Sequence, residues 1–417
     1  MRPRETLAWR AAATALLRQI RVGSLVIADG SDGRRLRFGR GAPAATIEVH
    51  DPSFWRALLH GSRGLADSYA AGVWDSPDLV AVIRLAARNA IVIDRVRRAT
   101  APLWTPRQRL RALVRPNSRR RNRRDIAAHY DLGNELFSRM LDPTMSYSCA
   151  LFEREGMSLE QASVAKLERV CEQLDLRAGD HVLEIGTGWG GFAIHAAATR
   201  GCRVTTTTIS AEQHAYAVAR VREAGLEELV TVLRSDYRDL RGRYDKLVSI
   251  EMIEAVGWER IGAFLAQCSR LLHPDGAMLL QAITIDDRAY EVEKASRSFI
   301  KEYIFPGGCL PSLEVIQRNL ARRTDLQTAD LHDLTASYVT TLRCWRERFL
   351  AHSEELAGLG YDESFRRLWT LYLAYCEAGF AERRICDVQL LLVKPRWIAP
   401  HAAAGADSLD SAIAALR

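Results

Sequence analysis

Between His181 and Gly191 the chain reads His-Val-Leu-Glu-Ile-Gly-Thr-Gly-Trp-Gly-Gly, an apolar run that passes straight into a glycine-rich turn. Such a run, followed by helical periodicity, commits the segment to a strand, a tight turn and a helix. Gly186 and Gly188 let the backbone turn sharply and let a ligand approach it closely. The pattern continues downstream. RVTTTTIS leads to the helical AEQHAYAVARVREAG, VTVLRSD to YDKLVSIEMIEAVG, and IGAFLAQCSRLLHPDG to AMLLQAITI. Strands and helices alternating at this spacing predict an α/β fold with a parallel, doubly wound sheet. Residues 287–380 read as mostly helical, and DVQLLLVK (387–394) as a buried strand able to complete the sheet.

The rest of the chain divides around this unit. Residues 1–94 mix short strand-like and helical pieces and read as a small α+β domain. An Arg-rich linker spans 95–124, the α/β domain 125–399, and an Ala-rich tail 400–417. The formal net charge is +7, yet the linker alone carries twelve arginines and no acid, so removing those charges leaves −5 for everything else. The stretch is either a solvated connector or a polybasic patch for an anionic surface, lipid or nucleic acid. The 417 residues are 48% hydrophobic and 26% charged, which fits a globular protein of two or three domains and excludes a disordered or fibrous one. No apolar run reaches the roughly 18 residues of a membrane span. The opening MRPRETLAWRAAATALLRQIR is interrupted by Arg10 and Arg18, unlike a signal peptide, so an intracellular protein is expected. Eight scattered cysteines, none at CxxC spacing, argue against a zinc knuckle or a disulfide framework, and no metal site is expected.

A bare GxG is shared with dinucleotide enzymes, so its context decides. Gly191 fills the sixth position, but the second strand ends in Thr207-Thr208-Ile209-Ser210, without the acid that would grip a dinucleotide ribose. Glu184 on the strand before the turn, and LLHPDG before a later strand, match the pattern of S-adenosylmethionine (SAM) methyltransferases. Nucleic-acid methyltransferases of the base-amino type carry an Asn/Asp-Pro-Pro-aromatic loop after the fourth strand, where they grip a flipped base. Here that place holds Glu251-Met-Ile-Glu-Ala-Val-Gly257, so no nucleic-acid partner is expected.

At several further segments the chain resembles the cyclopropane-fatty-acyl-phospholipid synthase family. They are His129-Tyr130-Asp131-Leu-Gly-Asn-Glu-Leu-Phe, Leu141-Asp142-Pro143, Tyr147-Ser148-Cys149-Ala150, Leu183 through Gly190, Ile209-Ser210 with Gln213, the Glu254 segment, Tyr303 through Gly308, and Tyr338 through Phe349. Gly64 through Trp74 extends the likeness into the N-terminal domain. The resemblance implies a Rossmann-like class I SAM methyltransferase with a helical acyl-binding insertion, and an N-terminal domain that presents lipid. The implied activity is carbon methylation at a cis double bond of a phospholipid acyl chain, through a carbocation that loses a proton. It implies SAM contacts at Tyr147, Ser148, Gly186, Gly188, Thr208, Ile209 and Gln213, with Tyr237 near the adenine. It also implies a bicarbonate ion as proton acceptor, held by Cys149, Glu254, the backbone of Ile283, and Tyr338.

Two positions depart from the family's pattern. Gln281 stands where cyclopropane synthases typically carry His, and Ala255 follows Glu254 where a second His is usual. Gln281 can donate a hydrogen bond to the anion but carries no charge, which leaves bicarbonate binding open. The segments EMIEAVG, LQAIT, YIFPGG and YLAYCEAGF resemble most the actinobacterial branch that makes methylene- and methyl-branched (tuberculostearic-type) acids. The expected product is therefore a methylene branch, with ring closure to a cyclopropane as the alternative and a small-molecule methyltransferase as a lesser one. Anionic phospholipid at the inner face of the plasma membrane is the expected partner surface. A homodimer and a reductase acting on the product are further partners the resemblance allows. Cys149 as a packed thiol, Glu254 as a cap, Tyr338 as a helix aromatic and Gln281 as a satisfied strand residue remain the plainer readings.

Overall fold

The computed structural model describes residues 3–89, 132–296 and 298–399. The Arg-rich linker, His129 through Asp131 and the tail from 400 lie outside the described residues.

The N-terminal unit begins with the helix Pro3–Leu17 and continues into a four-stranded sheet of β1 (Gly23–Asp29), β2 (Arg34–Arg40), β3 (Ala44–Val49) and β4 (Trp74–Asp75), in the order β2-β1-β3-β4. β1 alternates buried and half-buried residues along its whole length, the mark of a strand with one face on a core. That core holds Phe54, Trp55 and Trp74, with the Trp55 indole N–H donating to Asp29 at 3.1 Å. A helix over 79–89 closes the unit.

The larger sheet contains β5 (His181–Ile185), β6 (Arg203–Thr208), β7 (Val230–Arg234), β8 (Tyr244–Ile250), β9 (Leu272–Ile285), β10 (Gln327–Asp333) and β11 (Ile385–Val393). Its order is β10-β11-β9-β8-β5-β6-β7. The five strands β7, β6, β5, β8 and β9 pair in parallel, as the alternating pattern predicts. β11 is inserted antiparallel to β9, and β10 antiparallel to β11, so the sheet is mixed at that end. β10 is the one strand in the stretch read as helical. Nearly every residue of it is exposed, so it carries none of the apolar alternation by which an edge strand is recognised.

The chain leaves β5 for β6 on one side and reaches β8 on the other. The crevice between the carboxyl ends of β5 and β8 is therefore the switch point of the sheet, where α/β folds bind ligands. Gly186 follows β5 directly and Glu251 follows β8 directly. Flanking helices are well specified locally. Ser158 caps Leu159–Gln173 with a capping box completed by Gln161, and Ser210 caps Ala211–Glu223 through the N–H of Gln213.

The helix Glu363–Ala381 joins the two units. Arg367 donates to the carbonyls of Tyr69 at 2.7 Å and Trp74 at 2.9 Å and to the Asp75 carboxylate at 2.9 Å, with its guanidinium 4.2 Å from the Tyr69 ring centroid. Arg84 and Arg88 both donate to Glu382 at 2.7 Å. Buried residues of both units form one continuous apolar cluster.

Candidate active site

The cradle after β5 is built from backbone. Gly186 has φ +108° and Gly188 φ +52°, values that L side chains rarely adopt, and the N–H groups of Gly186 and Thr187 donate to Thr207 O at 3.1 Å. Thr208 Oγ1 donates to Gln213 Oε1 at 2.9 Å, which fixes the Gln213 amide at the start of its helix. Glu184 is buried and accepts from Thr206 Oγ1 at 2.5 Å, and burial pushes its carboxyl up to about 8. Tyr237 starts a short helical turn after β7 and meets the Phe264 ring edge-on at 5.3 Å. Ile209 is half-buried between β6 and Ser210. A ligand with a flat base, a ribose and a charged tail fits such a cradle, with glycine backbone at its centre and amide and aromatic side chains at its flank.

The second half of the site lies at the tips of β8 and β9. Glu251 is its centre. Its Oε1 accepts from the Cys149 backbone N–H at 2.8 Å and from Gln281 Nε2 at 2.9 Å, and its Oε2 accepts from the Tyr338 hydroxyl at 2.6 Å. Glu251 adopts φ +49°. A left-handed backbone costs a non-glycine residue about 1–2 kcal/mol, and strain of this kind is kept where surrounding contacts hold it. Beside it, Glu254 Oε1 accepts from the Ile283 N–H at 2.6 Å, while the buried Oε2 has no donor among the described residues. Asp387 on β11 accepts from Gln281 Nε2 at 2.9 Å through Oδ2, and its Oδ1 likewise has no donor among the described residues.

Burial and the neighbouring Glu251 push Glu254 up to about 8. Burial, then Glu251 and Glu254, push Asp387 well above the carboxylate range. Burial also raises Glu251, but the Tyr338, Cys149 and Gln281 hydrogen bonds and the Lys166 charge pull the other way. Lys166 is fully enclosed and donates to Ser148 Oγ at 2.9 Å, and burial draws its ammonium down. The Cys149 thiol is pushed up by burial and then by Asp387 and Glu251, so it stays protonated and its backbone N–H is the part that acts.

Gln281 is locked in orientation. Arg169 Nε donates to Gln389 Oε1 at 3.1 Å, Gln389 Nε2 donates to Gln281 Oε1 at 3.1 Å, and both Gln281 Nε2 hydrogens go to carboxylates. Neither Gln281 hydrogen is thereby left to give to a bicarbonate ion. The other residues assigned to that ion do not fit it either. The Cys149 N–H and the Tyr338 hydroxyl are held by Glu251, and the Ile283 N–H by Glu254.

Aromatic faces continue from this cluster. Tyr338 stacks on Phe380 at 4.2 Å, Trp345 meets Tyr338 at 6.1 Å and Tyr147 at 5.2 Å, and the Tyr147 hydroxyl lies 2.8 Å from that of Tyr372. Cys149, Glu254, Gln281, Ile283 and Tyr338 thus converge, and Tyr147 and Ser148 enter from the same loop. Glu251, Asp387 and Lys166 were not anticipated. The usable signal for Glu251 was its place immediately after a central strand, at the ligand-bearing edge of the sheet.

A switch-point glycine cradle facing buried carboxylates and aromatic walls defines a SAM-dependent methyltransferase of the class I fold. The chain belongs to the mycolic acid cyclopropane synthetase family, whose model matches residues 117–390. It is 40% identical over 360 residues to the tuberculostearic acid methyltransferase UfaA1 of Mycobacterium tuberculosis, covering 85% of this chain and 84% of that one. It is 39% identical over 358 residues to the cyclopropane-fatty-acyl-phospholipid synthase of Escherichia coli strain K12, covering 84% and 87%. The solved structure of the mycolic acid cyclopropane synthase CmaA1 complexed with SAH and CTAB superposes with a TM-score of 0.61 at 30% identity, over 65% of this chain and 98% of that one.

Proposed function

We propose that the protein methylates a carbon of a cis double bond in an unsaturated acyl chain of a membrane phospholipid and releases a methylene-branched chain. The observation that carries this reading is the pairing of Gln281 with Glu251, in the position where ring-forming relatives typically carry His, together with the 40% identity to a tuberculostearic acid methyltransferase. SAM supplies an electrophilic methyl group. Gly186, Gly188, Thr208 and Gln213 would hold it, with Ile209 and Tyr237 beside the base and Tyr147 and Ser148 closing the cradle.

An unactivated alkene is a weak nucleophile, so the residues around it must align it and exclude water that would trap a cation. The buried rings of Trp345, Tyr338 and Phe380, with the half-buried Tyr147, provide such a wall, and a desolvated aromatic face stabilises a cation by about 2 kcal/mol. After methyl transfer, a hydride shift places the positive charge on the methylated carbon. Loss of a proton from the new methyl then leaves a methylene group. Ring closure requires the same proton to leave before that shift. Saturation of the methylene to a methyl branch needs a hydride donor and falls to a separate reductase.

The N-terminal unit and the twelve arginines of residues 95–124 would bring the enzyme to an anionic phospholipid surface as a peripheral protein. No helix among the described residues is long and apolar enough to cross a membrane. Incubation with SAM and vesicles of an oleoyl phospholipid, followed by analysis of the acyl chains, tests the reading. A methylene-branched chain is expected, and a cyclopropane as the main product would overturn it.

A further inference from the structure

We infer that Glu251 is the proton acceptor of the reaction, its carboxylate fixed to the chain where relatives would use a free anion. The inference rests on the methylation reading above and concerns where the proton goes.

Three donors from three separate segments converge on this one carboxylate: the Cys149 N–H, the Tyr338 hydroxyl and Gln281 Nε2. Together they form an anion hole, and a side chain fills it. All three act as donors to Glu251, a set that favours its ionised form. The backbone agrees. At φ +49° the position suits glycine, yet it carries a glutamate whose carboxylate accepts three hydrogen bonds, two at Oε1 and one at Oε2, leaving room at Oε2 for a proton.

The neighbouring acids are less suited to the task. Glu254 and Asp387 each keep a buried oxygen without a donor among the described residues, an arrangement that favours the protonated form. The charged and titratable groups facing Glu251 are these two acids, Lys166, Tyr338 and Cys149. Burial raises the basicity of Glu251 while the Tyr338, Cys149 and Gln281 hydrogen bonds and the Lys166 charge oppose protonation, which is the balance a general base requires. Location completes the case. Met252, the next residue, approaches within 3.4 Å of where a Cβ on Gly186 would stand, so Glu251 borders the cofactor cradle.

The step balances without a further reagent. A C–H bond of the new methyl breaks, its electron pair forms the C=C bond to the cationic carbon, and the proton goes to a Glu251 oxygen. It leaves to solvent after product release.

The test uses the full chain and its E251Q and E251G variants in buffer stripped of carbon dioxide, with and without added bicarbonate. Wild type is expected to turn over equally in both. E251Q is expected to lose about 100-fold or more in turnover while its SAM affinity stays within about threefold of wild type. E251G, whose backbone suits the position, is expected to fold and to expose the three donors. A ¹³C-bicarbonate titration followed by NMR should then show binding to E251G and none to wild type. Wild-type turnover that needs bicarbonate, an E251Q variant as active as wild type, or bicarbonate binding to wild type would overturn the inference. If wild type leaves every oleoyl vesicle unmodified, the methylation reading fails instead, and the bicarbonate titration still decides whether Glu251 fills the anion hole.

Discussion

Gln281 and Glu251 are tied in both directions: the Glu251 backbone N–H donates to the Gln281 carbonyl at 2.9 Å, and Gln281 Nε2 donates back to Glu251 Oε1 at 2.9 Å. The double tether aims a carboxylate from a backbone that would not hold it there unaided.

Replacing Gln281 by Leu removes the donor shared by Glu251 and Asp387 and leaves buried acceptors bare. Each such group costs about 1–3 kcal/mol, so the urea midpoint of Q281L should drop clearly. Turnover should fall further than stability accounts for, while calorimetric SAM affinity holds. A stable and fully active Q281L would contradict the role given to this amide.

Tyr338→Phe removes one hydroxyl and little volume. A hydrogen bond to a charged group contributes about 1.5–3 kcal/mol, which corresponds to a loss of roughly 10- to 150-fold in turnover. Stacking on Phe380 is kept, so the thermal midpoint should fall less than in Q281L, by the cost of one unpaired Glu251 oxygen alone. Equal losses in stability and rate would point to packing instead.

Gly186→Ala tests the cradle. At φ +108° an alanine is strained whatever space surrounds it, and the Met252 side chain lies 3.4 Å from the new Cβ. SAM affinity measured by calorimetry should weaken by about tenfold or more, a change of roughly 1.4 kcal/mol. Unchanged affinity would move the cofactor elsewhere.

Arg367→Ala addresses the joint between the two units. It deletes bonds to Tyr69, Trp74 and Asp75 and leaves two carbonyls and a carboxylate to find water. A loss of about 1–3 kcal/mol is expected, with earlier proteolysis of the N-terminal unit. Proteolysis at the wild-type rate would show that the apolar contact suffices alone.

Acidity has a defined effect on the cofactor-free protein. Glu254 and Glu184 ionise near 4.5 when unfolded but hold their protons to about 8 when folded. Between those values the native state binds more protons than the unfolded chain, so stability falls as pH rises through this window. The stability these groups contribute is full below about pH 4.5 and gone above about pH 8. Denaturation across that range should show E254Q with a flatter profile than wild type; parallel profiles would refute the raised carboxyl.

Much of the fold could be read in advance because β5 to β9 announce themselves as apolar runs punctuated by glycine and helix caps. β10 could not, since an exposed edge strand such as Gln327–Asp333 carries no burial signal. The antiparallel placement of β11 depends on which edge is open, a property of the assembled sheet. Cys149, Glu254, Ile283 and Tyr338 were anticipated through resemblance, and they do converge. Resemblance does not point to Glu251, because the residues it assigns to the site lie at other positions. Lys166 and Asp387 look in sequence like ordinary helix and strand residues. Only the assembled fold, which encloses Leu159–Gln173 and β11, makes them buried ionisable groups.

The acids Glu251, Glu254 and Asp387, enclosed with Lys166 beside the cradle, also bear on cofactor exchange. The methyl donor arrives as a sulfonium cation and departs as a neutral thioether. With Glu254 and Asp387 protonated, the Glu251 carboxylate and the Lys166 ammonium offset each other, so the buried cluster adds little net charge for the sulfonium to meet. A near-neutral pocket of this kind lets the spent cofactor leave about as readily as the fresh one binds, so that neither form clogs the cradle.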